Sequence, residues 1–278
     1  MDLPNQINDL SRLCIHTQTN RPWNLKRCVA EYHRAGIRGI SVWRHLLEEI
    51  HPREARALLK DHDMTVVSLV RGGFFAAADR GRRKEAIREN LAALEEAEQI
   101  GAPLLVLVCG ADPEQTPEQS REQIHEGIHQ LVPAAEAVGV RLAIEPLHPM
   151  YAANRSAIVT LKQANDMVET IGSETVGVAV DLFHLWWDPA LHDEIRRCGT
   201  MERLFAFHIC DWKPDMKDML NDRGLMGEGC INVAQIRGWV ESAGFSGFHE
   251  VEIFSERYWR QDQVAYLHAI VNAYINQT

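Results

Sequence analysis

A chain of 278 residues is long enough for one large α/β barrel or for two small domains, and 46% hydrophobic residues supply a substantial core. A formal net charge of −10 argues against a nucleic-acid partner, because phosphate binding rewards clustered lysine and arginine. No apolar run approaches the roughly 20 residues that a bilayer span needs, and the six cysteines form no CxxC pair, which points to reduced, buried thiols.

The first residues, Met1-Asp2-Leu3-Pro4-Asn5, lack the basic and apolar regions of a signal peptide, so a cytoplasmic protein is expected. From there strand-like and helix-like segments alternate to the end. Strand patterns fall at 13–19, 39–45, 65–72 and 103–110, then at 141–146, 176–184, 204–212 and 247–255. The clearest helical pattern is 83–100, where Ile87, Leu91, Leu94 and Ala97 share a face opposite charged residues. Segments 119–138, 156–171, 233–243 and 261–275 read the same way, and Gly36, Gly101, Gly139 and Gly244 stand where helices end. Eight β-then-α units without a low-complexity linker predict a (β/α)8 barrel, with 1–278 as a single domain. The alternative, a doubly wound sheet, would carry a glycine-rich phosphate turn after the first strand, and Thr17-Gln18-Thr19-Asn20-Arg21-Pro22 is not one.

Four of the strand patterns carry a metal-binding side chain near their C-terminal ends: Glu145, Asp181, His208 and Glu252. Side chains alternate across a strand, so Ala143 shares a face with Glu145, Gly177 and Ala179 with Asp181, and Ala206 with His208. Small residues then fill the barrel below each ligand. Phe205, Phe207 and Ile209 turn toward the helices. A lone inward acid or histidine is ordinarily hydrogen-bonded structure, but four on consecutive strands at one height describe a site at the catalytic end of a barrel. Three oxygens and one nitrogen suit Mn²⁺, Co²⁺, Mg²⁺ or Zn²⁺. Three residues after each ligand stands another polar group, His148, His184, Asp211 or Ser255, placed where substrate hydroxyls would lie. Glu250 shares a face with Glu252 one layer deeper, where a buried carboxylate needs a partner; His16 and Arg71 are the candidates.

At these residues the chain resembles the xylose-isomerase-like TIM-barrel superfamily of sugar isomerases and epimerases, which shares its barrel with endonuclease IV. Ile144-Glu145-Pro146-Leu147-His148-Pro149, Val180-Asp181-Leu182-Phe183-His184, Phe207-His208-Ile209 and Glu250-Val251-Glu252-Ile253-Phe254 look most like inosose isomerases and ketose 3-epimerases. Asp222-Arg223-Gly224-Leu225-Met226-Gly227-Glu228-Gly229 is similar too. The resemblance implies Glu145, Asp181, His208 and Glu252 as ligands of one divalent ion, with Mn²⁺ the first choice. It implies Glu145 and Glu252 as the acid/base pair as well, and Arg223 as a substrate contact, while His148 and His184 are the loop residues whose position favours them as substrate contacts. A keto-sugar or keto-polyol substrate and a homo-oligomer are further implications. The segment 210–222 is longer than a ketose 3-epimerase would have and closer to inosose isomerases.

The expected chemistry is proton transfer beside a ketone through an enediolate, giving an isomerase or epimerase. The alternative is a lyase or dehydratase that expels a β-substituent after the same proton abstraction. In that case Trp43, Trp186, Trp187 and Trp212 could stack on a sugar or an aglycone, or merely pack the rim. A DNA-repair role needs extra histidines from earlier strands, where Arg71 and Cys109 stand instead. A non-catalytic sugar-binding subunit would not need an intact acid/base pair. Lys213, Lys217 and Arg223 share one loop and could meet a phosphate, but with no glycine-rich helix start beside them an unphosphorylated keto-polyol is the expectation.

Overall fold

Runs such as Leu104-Leu105-Val106-Leu107-Val108 are apolar on both faces, which suits a parallel strand covered by helices outside and by side chains within the barrel. In the computed structural model of the protein, which describes residues 7–278, eight such strands close into a barrel in chain order. They are β1 (Leu13–His16), β2 (Gly39–Trp43), β3 (Thr65–Gly73), β4 (Leu104–Val108), β5 (Arg141–Ile144), β6 (Val176–Asp181), β7 (Leu204–Ile209) and β8 (His249–Val251). Every neighbouring pair is parallel, and β8 closes on β1 with Leu13 opposite His249. The amino-terminal residues read for targeting signals lie outside the described range. Among the described residues no helix is long and apolar enough to cross a membrane.

The helices are α1 (Leu25–Arg34), α2 (Pro52–Asp61), α3 (Arg80–Ile100), α4 (Pro117–Val138), α5 (Leu161–Ile171), α6 (Leu182–Leu185), α7 (Leu191–Thr200), α8 (Val233–Ser242), α9 (Glu256–Trp259) and α10 (Gln263–Gln277). Several differ from the sequence pattern for local reasons. Helix α4 begins at Pro117, before 119, because Thr116 and Gln119 form a reciprocal capping box. Helix α5 begins at Leu161, after 156, because Ser156 bridges Gly110 beside β4 and Thr160 caps the helix. The pattern at 176–184 is a strand followed by α6, with Asp181 accepting the Phe183 N–H at 2.7 Å.

The interior divides into two halves. Val70, Leu104, Val106, Ala143, Ala179 and Ala206 form an apolar cluster inside the barrel, joined by Trp43 and Phe205. Beside β1, β2, β3 and β8 the interior is polar: Cys14, His16, Ser41, Ser68 and Glu250 are all buried there. The bulkier alternate residues Val176, Val178, Val180, Phe207 and Ile209 join the outer core beneath the helices. Phe205 is the exception to the expected alternation. Its strand slips register between Val178 opposite Leu204 and Ala179 opposite Ala206, and the extra residue at this bulge turns Phe205 inward. Five cysteines are buried as free thiols, and Cys230 is exposed.

Candidate metal centre

The four strand-end residues converge. Asp181 closes β6, His208 is the penultimate residue of β7, and Glu145 and Glu252 directly follow β5 and β8. One ligand-type atom from each lies within 4.8 Å of the other three, and all four side chains are buried. His208 Nδ1 is 2.9 Å from Glu145 Oε1, while its Nε2 is buried with no hydrogen bond among the described residues.

Two basic groups thread between the carboxylates. His16 reaches Glu250 through Nε2 at 3.1 Å and Glu252 through Nδ1 at 3.0 Å. Arg223, buried between the rings of Phe183 and Phe254, donates to Asp181 at 3.1 Å and to Glu252 at 2.8 Å. These contacts set the charges. Burial opposes a charge on His208, but its Glu145 hydrogen bond and the surrounding carboxylates carry its pKa up to about 10. Burial pushes Asp181 up to about 7 against the pull of Arg223. Burial pushes Glu252 upward too, yet His16 and Arg223 outweigh it and hold this carboxyl well below the usual range. Burial and the nearby Arg223 charge depress His184, so its imidazole is neutral at pH 7.

Three oxygen donors and one imidazole, all buried and converging on one point, fit a small divalent ion. A cation at this point would compete with the proton on His208, since a ligating imidazole must be neutral.

A narrow cavity of about 20 Å³ lies above the cluster, lined among others by Glu145, Glu252, His184, Arg223, Trp43 and Tyr151. His184 stands within it, and among the described residues neither its Nδ1 nor the Arg223 Nε has a hydrogen-bond partner. His148 is placed elsewhere: its ring packs between Trp187 and Trp212, and its Nδ1 accepts the Met150 N–H. Trp186 and Trp212 join the same aromatic group, which is rim packing, whereas Trp43 faces the cavity. Asp211 does not stand above the ligands either. It accepts the backbone N–H groups of Gly227, Gly229 and Ile231 at 2.8–2.9 Å and so shapes the loop that delivers Arg223. Ser255 is buried beside the same loop, bridging Asp222. Lys213 is paired with Asp222, which also accepts the Lys217 backbone N–H, so neither the Lys213 ammonium nor the loop backbone is set up for a phosphate. Tyr151 and Arg155, both on the cavity wall, carried no recognisable pattern in sequence because they come from an irregular segment after β5.

A family model for the xylose isomerase-like TIM barrel matches residues 29–270. The chain belongs to that family. Within the xylose isomerase-like barrels it is 26% identical to an inosose isomerase of Halalkalibacterium halodurans over 191 residues, which span 67% of this chain and 66% of that relative. A crystal structure of a Sinorhizobium meliloti 1021 protein matches with a TM-score of 0.94 and 42% identity, covering 97% of this chain and 99% of the other. A crystal structure of the IolI protein with a bound zinc atom shares the fold at 21% identity and a TM-score of 0.84, covering 95% and 97%.

Proposed function

We propose that this xylose isomerase-like barrel is a divalent-metal-dependent isomerase or epimerase of a keto-sugar or keto-polyol, with the whole chain working as one domain. The observation that carries the reading is the convergence of Glu145, Asp181, His208 and Glu252 within 4.8 Å at the strand exits. The inosose isomerase relative supports the reaction class, and the zinc named with the IolI structure supports a divalent ion. Mn²⁺, Mg²⁺, Co²⁺ and Zn²⁺ all suit the donor set.

Asp181 and His208 would anchor the ion. Glu145 and Glu252 enter from β5 and β8, which are not neighbours, and so approach a bound substrate from different sides of the mouth. Glu252 is held ionised by His16 and Arg223, the state a general base requires. A carboxylate held so firmly is a weak base, and the substrate C–H must therefore be made more acidic. A bound divalent ion supplies that acidity by stabilising the negative charge that develops on the substrate carbonyl oxygen. Glu145, hydrogen-bonded to His208, is placed to return a proton from the other side. His184 and the free Arg223 Nε–H offer hydrogen bonds to substrate hydroxyls.

Replacing Glu252 by Gln keeps the shape of the side chain and removes its basicity. Exchange of solvent deuterium into inososes and keto-sugars, followed by NMR with Mg²⁺-supplemented enzyme in D₂O, is expected to vanish in this variant. Exchange that survives the substitution sinks the assignment. Trp43 on the cavity wall favours one second reading, elimination of a β-substituent after the same abstraction. Product mass separates the two, being unchanged for isomerisation and lowered by the leaving group for elimination.

A further inference from the structure

We propose that the substrate of this site carries an oxyanion, a carboxylate or a phosphate, held by Arg71 and Arg155 on the outer wall of the cavity. The inference rests on reading that cavity as a keto-polyol site. Both arginines line it together with Glu145, Glu252 and His184. Neither has a carboxylate within ion-pair distance among the described residues. The neighbouring arginines do: Arg223 is matched by Asp181 and Glu252, and Arg44 by Glu96 at 2.6 Å. Arg71 is half-buried, and burial together with the charges of Arg155 and Arg44 lowers its pKa to about 10, with Glu145 the one attractive carboxylate. Two cations gathered at one wall without an ion-pair partner at contact distance are a cost that an anionic ligand would remove.

The wall is built to hold them. The Arg71 guanidinium lies 4.3 Å from the ring centroid of Phe74, and Phe74 takes a left-handed φ of 56°, unfavourable for an aromatic residue. That conformation is held by hydrogen bonds from Phe74 and Phe75 to the carbonyls of Val108 and Cys109 at 2.8 and 2.9 Å. Gly73 makes the approach feasible, since a Cβ there would lie 1.9 Å from the Val108 carbonyl oxygen. On the other side, the Arg155 carbonyl accepts the Gly110 N–H at 2.8 Å, and its guanidinium lies 5.6 Å from the Tyr151 ring. The Tyr151 hydroxyl in turn donates to the Met219 carbonyl. Two planar guanidinium forks on fixed platforms suit the paired oxygens of a carboxylate or phosphate. Lys213 does not compete for it, because its ammonium is already matched by Asp222.

The test is calorimetric titration of the full-length, Mg²⁺-supplemented protein with three probes at one ionic strength: D-fructose, 2-keto-D-gluconate and D-fructose 6-phosphate. At least one charged probe is expected to bind roughly tenfold more tightly than D-fructose, with the better one identifying the group. Arg71→Gln combined with Arg155→Gln is expected to bring that preference to within about twofold. Should the double variant not fold, each single substitution, verified by its unfolding midpoint, is expected to cut the preference at least about threefold. Charged probes that bind no better than D-fructose, including no binding by any probe, overturn the proposal, as does a preference that survives the substitutions. Deuterium exchange is measured separately on the same probes. Its absence counts against the proposed reaction, while the charge preference still decides the oxyanion.

Discussion

His16 touches two carboxylates at once, and the barrel's register explains how. Cys14 pairs with Glu250 across the β1–β8 seam, so His16, two residues on, stands level with Glu252. Its ring therefore joins the deeper carboxylate to the one at the mouth. The depth of Glu250 was legible from its spacing to Glu252. Its partner was not, since both His16 and Arg71 were available until the register placed one inside and the other on the cavity wall. Glu250 also accepts the Ser41 hydroxyl at 2.6 Å and lies 3.3 Å from that of Ser68. Truncating it would leave these donors and a buried imidazole without their acceptor. Glu250→Ala is expected to destabilise the protein by about 3 kcal/mol in urea unfolding, and Glu250→Gln by clearly less. Equal losses would mean that the charge of Glu250 carries the whole effect and its hydrogen-bond acceptors add nothing. Arg223 shows a second limit of sequence reading: its motif marked it as a substrate contact, but nothing local revealed that its Nη1 is spent on Asp181 and Glu252.

Among the elements, the alternation of small and bulky residues in β5, β6 and β7 made the inner and outer faces readable. Ala143, Ala179 and Ala206 do lie inside, and Val178, Val180 and Phe207 outside. Strand ends were less readable, because the apolar pattern runs on into turns and into α6 after the hydrogen-bonded ladder has stopped. The bulge at Phe205 was hidden for a different reason. An extra residue leaves the composition of a strand unchanged and shows only in its pairing. Its consequence falls on the neighbouring strand, where a Cβ at Gly177 would lie 2.5 Å from the Phe205 ring and from the Arg203 carbonyl oxygen. Gly177→Ala is thus expected to cost about 2 kcal/mol of thermal stability through overpacking. A neutral or stabilising effect would show that Phe205 and the Arg203 backbone can both move clear.

For the whole molecule, closure depends on a charged clasp at the opposite end of the barrel from the candidate site. Arg12, just before β1, donates to the Gly247 carbonyl at 2.8 Å and to Glu241 of α8 at 2.6 Å, and His249 Nε2 lies 3.2 Å from the same carboxylate. Burial would raise the Glu241 pKa, but His249, Arg237 and Arg12 hold it at about 2, below its ordinary 4.5. A depressed carboxyl pKa gives stability that is present above pH 4.5 and is lost as pH falls toward 2. Glu241→Gln should accordingly be less stable than the parent at pH 7, with the deficit shrinking as acid is added. A deficit independent of pH in this window, measured by urea unfolding, would rule the clasp out as an acid-sensitive element. Eight repeating units made barrel closure legible at this scale, while the clasp depends on contacts more than 200 positions apart in sequence. Arg223 and His16 bear on how the protein matures. With Arg223 and His16 beside the carboxylates as parts of the chain, the barrel needs no ion to become compact, and the divalent ion proposed above would enter afterwards. Small zinc-clasped domains lack that order of events, because in them metal and fold arrive together.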